Sequence, residues 1–280
     1  AALAMAAAAA CPRRAPRGPR LLPLLCLSAA APGGLPLAEG ATCPGAIEVE
    51  GAGQVHIIPA GWNVPGEGSE IGGAEVLEGR QVVSYMGGRA YFADRCTAGV
   101  YDHTQYTALK LLKKTLRYTT AISGAGCGCN AALSLTSMRH NQQASTCDDY
   151  YCDSSSVCGV ACAEINMQEA NLYAWHSTLH TPDDPTGVAG GYGGGRDVRV
   201  GPRDWKVSQY GLGGSCIDTA FPFQVEVSFP VDAYGSLVAV EVRLTQSGSP
   251  CPLLLRLGNY TGMPALSAAL AKGMTPVISY

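Results

Sequence analysis

Two glutamates and an asparagine share one short segment of the chain. Glu164 and Glu169 are five positions apart, and Asn166 lies between them. On a regular strand Glu164 and Asn166 point to one face and Glu169 to the other, because five is an odd number. A single β-bulge would return Glu169 to the face of Glu164, and bulges often lie beside active sites. Two carboxyls brought to about 5–5.5 Å in this way could cleave a glycosidic bond with retention of configuration. A solvated strand face is the alternative interpretation of the spacing.

Short strands joined by glycine- and proline-rich turns must position these side chains. The chain has 35 glycines and 18 prolines among 280 residues, and only 15 % of its residues are charged. This composition excludes a disordered chain, which would carry more charge, and a long helical protein, whose helices glycine and proline would break. Apolar residues alternate with polar ones at 46–60 and 237–244, and residues 131–137, 161–170 and 223–229 also have the composition of strands. The pattern predicts an all-β sandwich or barrel.

Two segments are less regular. Residues 61–80 are rich in glycine, proline and glutamate and are predicted to form a loop. Within 105–117, Leu109, Leu112 and Leu116 recur at helical spacing. Two short strands that meet at a turn formed by the adjacent lysines are the alternative for this segment.

The first 41 residues, 1–41, are predicted to be a targeting segment. Four arginines precede an apolar run of eleven residues, 21–31, which ends in small residues. This is the layout of a secretory signal, and the run is too short to span a bilayer. An organelle transit peptide is the alternative. No other window is apolar enough for a membrane helix, so a secreted, extracellular protein is expected.

The remaining chain has a cysteine content and a charge that limit its partners. Cys11 and Cys26 lie in the targeting segment, so ten of the twelve cysteines remain. An even number of cysteines behind a secretory signal predicts a disulfide framework. The whole chain has a net charge of −3, and the chain without its four N-terminal arginines is more acidic. This argues against nucleic acid as a partner, because phosphates require a basic face. The cysteine spacings do not fit common zinc modules, and no metal or cofactor is expected.

Several motifs resemble those of one enzyme family. The segment 162–171, Cys-Ala-Glu-Ile-Asn-Met-Gln-Glu-Ala-Asn, resembles the signature of the cellobiohydrolases and endoglucanases of glycoside hydrolase family 7. The resemblance covers residues 85–280 and is strongest over 127–220. Further motifs similar to those of the family follow in the same order along the chain: Cys127-Gly-Cys-Asn130, Ser137-Met138, Tyr151-Cys152-Asp153, His180, Asp204-Trp205, Tyr210-Gly211, Ile217-Asp218-Thr219 and Gly273-Met274.

The resemblance implies a fold and a mechanism. The fold is a concanavalin A-like jelly roll, a β-sandwich of two packed antiparallel sheets, formed by a domain that spans 42–280. The resemblance also favours strands over a helix for residues 105–117. It also implies that Glu164 is the nucleophile and Glu169 the general acid/base, which protonates the leaving oxygen and then accepts a proton from water. The family continues with a further strand beyond the last residue of this chain, so an incomplete sheet at the C-terminus is expected.

The chain departs from the family in ways that affect the expected activity. Asn166 stands where the family has an aspartate. Its amide is expected to donate a hydrogen bond to Glu164, but a titratable neighbour is lost, which predicts weaker activity with a shifted pH profile. The segments 153–162 and 205–210 are shorter than in the family. An open cleft and internal cleavage are therefore expected.

Four further residues are candidates for substrate binding. His180 lies eleven positions after Glu169, as the active-site histidine of the family does. Asp153 is expected to hydrogen-bond sugar hydroxyls, with a role in a turn as the alternative. Trp175 and Trp205 could stack on sugar rings, because pyranose faces pack on aromatic rings. Packing in the core is the alternative for both tryptophans.

These predictions describe a secreted, monomeric, retaining endo-β-1,4-glucanase whose partner is a polysaccharide such as cellulose. A non-catalytic glycan-binding protein of the same fold is one alternative. An enzyme of a related family that acts on β-1,3/1,4-glucans is another.

Overall fold

The chain folds into two packed β-sheets and a short helix. A computed structural model describes residues 3–7, 41–62, 73–184, 191–195 and 203–280. The helix, α1, is Met263–Lys272. The strands, in chain order, are β1 Leu3–Ala7, β2 Gly45–Val49, β3 Gly53–Pro59, β4 Ala74–Leu77, β5 Gln81–Ser84, β6 Arg89–Ala93, β7 Thr115–Ala121, β8 Ala131–Thr136, β9 Glu164–Ala170, β10 Trp175–His180, β11 Tyr192–Gly193, β12 Tyr210–Gly211, β13 Ile217–Asp218, β14 Phe223–Ser228, β15 Val240–Thr245, β16 Leu253–Leu257 and β17 Thr275–Ser279.

Fifteen of the seventeen described strands form a sandwich of two sheets, and β12 and β13 pair with each other in a small parallel sheet. Eight strands make the sheet that carries the two glutamates, here called the site sheet, in the order β11-β10-β9-β8-β17-β6-β3-β2. Seven strands make the opposite sheet, here called the back sheet, in the order β16-β15-β14-β7-β1-β5-β4. Within these two sheets the described strand pairs are antiparallel, except that β1 runs parallel to both β5 and β7. The predicted all-β sandwich of two antiparallel sheets is confirmed.

The main core lies between the two sheets. In β14 the side chains of Phe223, Val225 and Val227 are buried, and the residues between them are partly or fully exposed. Ile165 and Met167 of β9 join the same core from the site sheet. Burying each of these side chains stabilises the fold by roughly 1.5–3 kcal/mol. The core therefore determines which face of β9 turns inward and leaves the opposite face available for a site.

A second cluster covers part of the outer face of the site sheet. Tyr91 of β6 lies there against Tyr151, with ring centroids 5.9 Å apart. The guanidinium of Arg89 lies 3.8 Å from the centroid of the Tyr151 ring and 3.4 Å from Oδ2 of the fully buried Asp149. A buried carboxylate is tolerated only when it is paired and hydrogen-bonded. This cluster holds the segment 145–162 against the sheet, next to β9.

Disulfides tie several loops to the sheets, and the predicted disulfide framework is confirmed. Cys129 is disulfide-bonded, whereas Cys127 carries a free, exposed thiol, so the ten cysteines are not all paired. Disulfides are typical of proteins from oxidising compartments. The described pairs are Cys43–Cys96, Cys147–Cys158, Cys152–Cys162 and Cys216–Cys251.

The helical interpretation of residues 105–117 is wrong. Leu109 forms an antiparallel bridge with Met274, and Lys113 turns the chain with a φ of 64° before β7 begins. Leucines at helical spacing are therefore spread over an extended segment and the strand that follows it. The alternative of two short strands that meet at the lysines is right in part, because a strand follows the turn but the segment before it forms only isolated bridges.

The sequence patterns missed several elements, among them β4 and α1. Strand β4 lies within 61–80, which was predicted to be a loop, and it pairs with β5; residues 63–72 lie outside the described residues. Helix α1 follows Gly262 and buries Leu266 and Leu270, which are one helical turn apart.

The targeting segment predicted for 1–41 lies mostly outside the described residues. Leu3–Ala7 forms β1 in the back sheet, and the description resumes at residue 41. The targeting prediction and the domain boundary at residue 42 stay predictions. Among the described residues, no helix has both the length and the apolar character needed to cross a membrane.

Candidate active site

A bulge in β9 places Glu164, Asn166 and Glu169 on one face of the site sheet. Along β8 the pairing passes from Leu133–Gln168 directly to Ser134–Asn166, so β9 has an extra residue at this point. The pairing with β10 shifts at the same place. The bulge predicted from the odd spacing of the two glutamates is confirmed.

The residues inside the bulge turn into the core. Met167 and Gln168 are both fully buried. The side-chain amide of Gln168 donates to Oγ1 of Thr120 in β7 at 3.3 Å and to the carbonyl of Ala131 at 3.1 Å. A buried amide without partners would destabilise the fold by about 1–3 kcal/mol. These contacts therefore anchor the bulge to the back sheet and to β8.

Glu164 is buried and accepts two hydrogen bonds from Ser154. The hydroxyl of Ser154 donates to Oε2 of Glu164 at 2.7 Å, and its backbone N–H donates to the same oxygen at 3.1 Å. Burial raises the pKa of Glu164 to about 7, against the two hydrogen bonds from Ser154, which lower it. The charges of Asp153 and Glu169 raise it further. The site thus holds a carboxyl group that changes its charge near neutral pH.

A turn held by disulfides carries Ser154 to Glu164. Oδ1 of Asp153 accepts the backbone N–H of Val157 at 3.0 Å, and the carbonyl of Asp153 accepts the N–H of Cys162 at 3.0 Å. Asp153 is therefore a turn residue, the alternative that its sequence context left open. Its predicted contact with sugar hydroxyls stays a prediction.

Glu169 is more accessible than Glu164 and has its own donors. Its side chain is 23 % exposed. Asn130 donates through Nδ2 to one carboxyl oxygen and Thr178 donates through Oγ1 to the other, both at 3.3 Å. His176, which lies opposite on β10, brings Nε2 to 3.9 Å from Oε2 of Glu169. Glu169 is therefore open to solvent in part, whereas Glu164 is buried.

Asn166 contacts Thr178 rather than Glu164. Its Nδ2 donates to Oγ1 of Thr178 at 3.2 Å, and its Oδ1 accepts the hydroxyl proton of Ser134. The predicted hydrogen bond from Asn166 to Glu164 is therefore wrong, since the amide protons lie on the side of β10. The amide is linked through Thr178 to Glu169 instead.

His180 lies directly opposite Glu164 on β10. The imidazole is buried, and its Nδ1 lies 3.6 Å from Oδ2 of Asp184. Burial lowers the pKa of His180, although the charges of Asp184 and Glu169 oppose this. Gly191, with a φ of 59°, packs on the ring, where a Cβ atom would come within 2.2 Å of the imidazole. Only glycine fits at this position.

The two tryptophans predicted to bind sugar rings occupy different environments. Trp175 is fully buried in the main core, and its indole N–H donates to Oγ of Ser177 at 3.1 Å. It has no face free for a sugar ring, so the core alternative is right for Trp175. Trp205 is half-buried and packs on Trp175, with ring centroids 6.2 Å apart. Its role in binding sugar stays a prediction.

Solved structures of cellulases share this architecture. The structure of an endoglucanase I in complex with cellobiose matches with a TM-score of 0.56 at 14 % identity, over 86 % of this chain and 86 % of that one. The chain has the endoglucanase fold. Glycosynthase mutants of the Humicola insolens enzyme Cel7B match with a TM-score of 0.53 at 15 % identity, over 86 % of this chain and 85 % of theirs. A double mutant of a Humicola insolens endocellulase also reaches 0.53 at 15 % identity, over 85 % of this chain and 84 % of that one.

The resemblance predicted from the motifs is thereby confirmed at the level of the fold. No protein-family model matches the sequence, and no curated protein does so either. The likeness therefore lies in the three-dimensional arrangement of the strands rather than in overall sequence identity.

The sequence patterns missed several residues of this site. Ser154, Thr178 and Asn130 donate hydrogen bonds to the two glutamates, and His176 lies beside Glu169. Serine and threonine are common in loops and strands, so little in their local sequence marks Ser154 and Thr178. Two signals were available: Asn130 closes the motif that begins at Cys127, and Ser154 directly follows the motif residue Asp153.

Proposed function

We propose that this protein is a glycoside hydrolase that cleaves β-1,4-glucan chains internally and retains the configuration of the anomeric carbon. The observation that carries the proposal is the bulge in β9, because it brings Glu164 and Glu169 to one face of the sheet. Each carboxyl has its own hydrogen-bond donors there. The fold is also shared with an endoglucanase I in complex with cellobiose.

The two carboxyls would act in two displacement steps. In the first step Glu164 attacks the anomeric carbon, the glycosidic C–O bond breaks, and Glu169 gives its proton to the leaving oxygen. In the second step Glu169 takes a proton from water, whose oxygen displaces Glu164 and releases the sugar. The difference in exposure supports this division of roles, since the acid/base must reach water and the leaving group.

The environment of Glu164 predicts when the enzyme is active. A nucleophilic carboxylate must be ionised, and burial raises the pKa of Glu164 to about 7. The ionised fraction therefore rises through neutral pH, and we expect kcat/KM to rise over the same range. Ser154 limits the rise in the pKa of Glu164, because its hydrogen bonds are stronger to the charged carboxylate than to the protonated carboxyl.

We also propose that the protein is secreted and monomeric and that its site lies in an open cleft. Two disulfides hold the segment 147–162 in a compact turn beside β9, where a long loop would cover a substrate. We propose that residues 42–280 form the catalytic domain and that 1–41 directs it out of the cell. His180 and Trp205 are proposed to contact the glucan.

A non-catalytic glycan-binding protein is the second candidate. The burial of Glu164 favours this candidate. A carboxyl with a pKa of about 7 is largely protonated at acidic pH, and a protonated carboxyl cannot act as a nucleophile. The presence of Asn166 in place of a titratable neighbour points in the same direction.

Hydrolysis assays separate the candidates. The purified full chain would be incubated with cello-oligosaccharides, mixed-linkage glucan and laminarin between pH 5 and pH 9. We expect turnover of the β-1,4-linked substrates, products whose anomeric proton signals show retention, and no turnover by Glu164→Gln. Glu241→Gln removes an exposed glutamate that pairs with Arg256 in the back sheet, and should leave activity unchanged. Binding without turnover by the unmutated protein would support the glycan-binding candidate and exclude the enzyme.

A further inference from the structure

The bulge in β9 creates an irregular stretch in the neighbouring strand. Between the pairs His176–Glu169 and Thr178–Asn166, β10 advances by two residues while β9 advances by three. Ser177 therefore has no single partner on β9 with which to exchange backbone hydrogen bonds. A buried backbone group that lacks a partner destabilises the fold, so its groups must be satisfied elsewhere.

Ser177 is almost completely buried, and each of its polar groups has another partner. Its backbone N–H donates to Oδ2 of Asp204 at 2.8 Å. Its carbonyl accepts the N–H of Gly194 at 2.9 Å. Its hydroxyl donates to the carbonyl of Met167, inside the bulge, at 2.8 Å. Ser177 thus connects the bulge to Asp204, which comes from a different part of the chain.

Asp204 is attached to β10 at a second point. Its backbone N–H donates to the carbonyl of Trp175 at 2.9 Å. The Trp175 ring is fixed in the main core, and the neighbouring Trp205 packs on it. Asp204 therefore contacts β10 on both sides of His176 from a loop that is itself anchored to the core.

We propose that Asp204 is a positioning residue of this site, which holds β10 in the register that the bulge requires and so keeps Glu169 on the same face as Glu164. The inference rests on the proposed function. It differs from a direct catalytic role, because the carboxylate of Asp204 is occupied by the backbone of Ser177 and acts through it.

The position of Asp204 also brings it within electrostatic reach of the reacting groups. Burial raises the pKa of Asp204 to about 7, the hydrogen bond from Ser177 lowers it, and the charge of Glu169 raises it. Glu164, His176 and His180 are the other titratable groups on β9 and β10 near Glu169. A test must therefore separate the position of the acceptor oxygen from the charge of the carboxylate.

Two substitutions make this separation. Asp204→Asn keeps an acceptor oxygen at the same distance from the backbone and removes the charge, whereas Asp204→Glu keeps the charge and displaces the acceptor by one methylene. We expect Asp204→Asn to retain kcat within a few-fold and Asp204→Glu to lose roughly tenfold, since small displacements of a catalytic group are costly. Asp204→Ala should lose about 100-fold in kcat with little change in KM.

Asp232→Ala is the matched control. Oδ1 of Asp232 also accepts backbone N–H groups, those of Tyr234 and Ser236, but in an exposed turn between β14 and β15. Its loss should leave kcat unchanged. A wild-type kcat for Asp204→Glu, or an equal loss for Asp204→Asn and Asp204→Glu, would overturn the proposal.

Amide hydrogen exchange supplies a readout that does not depend on activity. We expect the Ser177 amide to exchange faster in Asp204→Glu and Asp204→Ala than in the unmutated protein and Asp204→Asn. Unchanged exchange in all variants would overturn the positioning role even if the protein hydrolyses glucans. A protein without hydrolase activity but with faster Ser177 exchange would instead overturn the proposed function alone.

Discussion

Ser154 donates to Glu164 twice, from its hydroxyl at 2.7 Å and from its backbone N–H at 3.1 Å, and both hydrogen bonds end on the same carboxyl oxygen. These hydrogen bonds favour the charged form of the Glu164 carboxyl, whereas burial disfavours that form. The balance of these opposing effects decides the pH at which Glu164 becomes ionised.

Ser154→Ala removes one of the two donors. A hydrogen bond to a charged group contributes about 1.5–3 kcal/mol, and one pKa unit corresponds to about 1.36 kcal/mol. The pKa of Glu164 should therefore rise further, and the acidic limb of the pH profile of kcat/KM should move up by about one unit. Ser155→Ala, an exposed neighbour, is the control and should leave the limb in place. A limb at the wild-type pH in Ser154→Ala would show that the hydroxyl does not influence Glu164.

Glu164→Gln should make the protein more stable at alkaline pH. The pKa of Glu164 is raised from 4.5 to about 7 on folding, so the folded state holds a proton that the unfolded state has lost between these values. The free energy of unfolding therefore falls as the pH rises through this window. Because glutamine stays neutral, the variant should equal the parent near pH 4 and exceed it at pH 8 by up to about 3 kcal/mol.

Urea unfolding at several pH values checks this stability prediction. Glu241→Gln, with its exposed side chain, should follow the pH dependence of the parent. Asp204 also has a pKa raised to about 7, so a reduced slope, rather than none, is expected for Glu164→Gln. A slope as steep as that of the parent would contradict the burial effect on Glu164.

Asn166→Asp should shift the opposite limb of the pH profile. Asn166 donates to Thr178, which donates to Glu169. An aspartate has no N–H to donate and would accept the Thr178 proton, so Glu169 would lose a donor and gain a negative neighbour. Both effects act on Glu169, so the basic limb of kcat/KM should move to higher pH.

Thr178→Val provides the comparison for this experiment. It removes the donor to Glu169 without adding a charge, so the same limb should move in the same direction by a smaller amount. An unchanged profile in Asn166→Asp would argue against any coupling between position 166 and Glu169.

Removal of the Cys152–Cys162 disulfide should impair activity more than its effect on stability explains. This disulfide closes the turn that carries Ser154, across a sequence separation of 10. Replacing both cysteines by serine should cost about 2–3 kcal/mol of stability and release Ser154, with a loss in kcat of roughly tenfold. The measurements are urea unfolding and kcat far below the melting temperature.

The Cys216–Cys251 disulfide is the control for this comparison, since it joins the residue before β13 to the segment before β16. Its replacement by serines should lower stability by a similar amount and leave kcat unchanged. Equal losses of kcat in the two double variants would assign both disulfides a general stabilising role.

The sequence by itself determined the class of the fold and one detail of the site. Strands β14 and β15 could be predicted because alternating apolar residues bury one face of a strand, and this preference is local. The odd spacing of Glu164 and Glu169 required a bulge if both were to share a face, and the bulge is present. The same local reasoning failed for 105–117, because leucines at helical spacing lie there in an extended segment and in strand β7.

Only the tertiary structure decided how the two carboxyls are surrounded. A disulfide-bonded turn places Ser154 within hydrogen-bond distance of Glu164. Asp204 accepts a hydrogen bond from the backbone of Ser177, which is 27 positions away in the sequence. Trp175 belongs to the core and not to the face of the site sheet that carries Glu164 and Glu169. Strand periodicity distinguishes two faces of a sheet, but the register of neighbouring strands and the loop that covers each face follow from packing of the whole core. Hydrogen bonds and burial, which determine the pKa values of the site, depend on that packing.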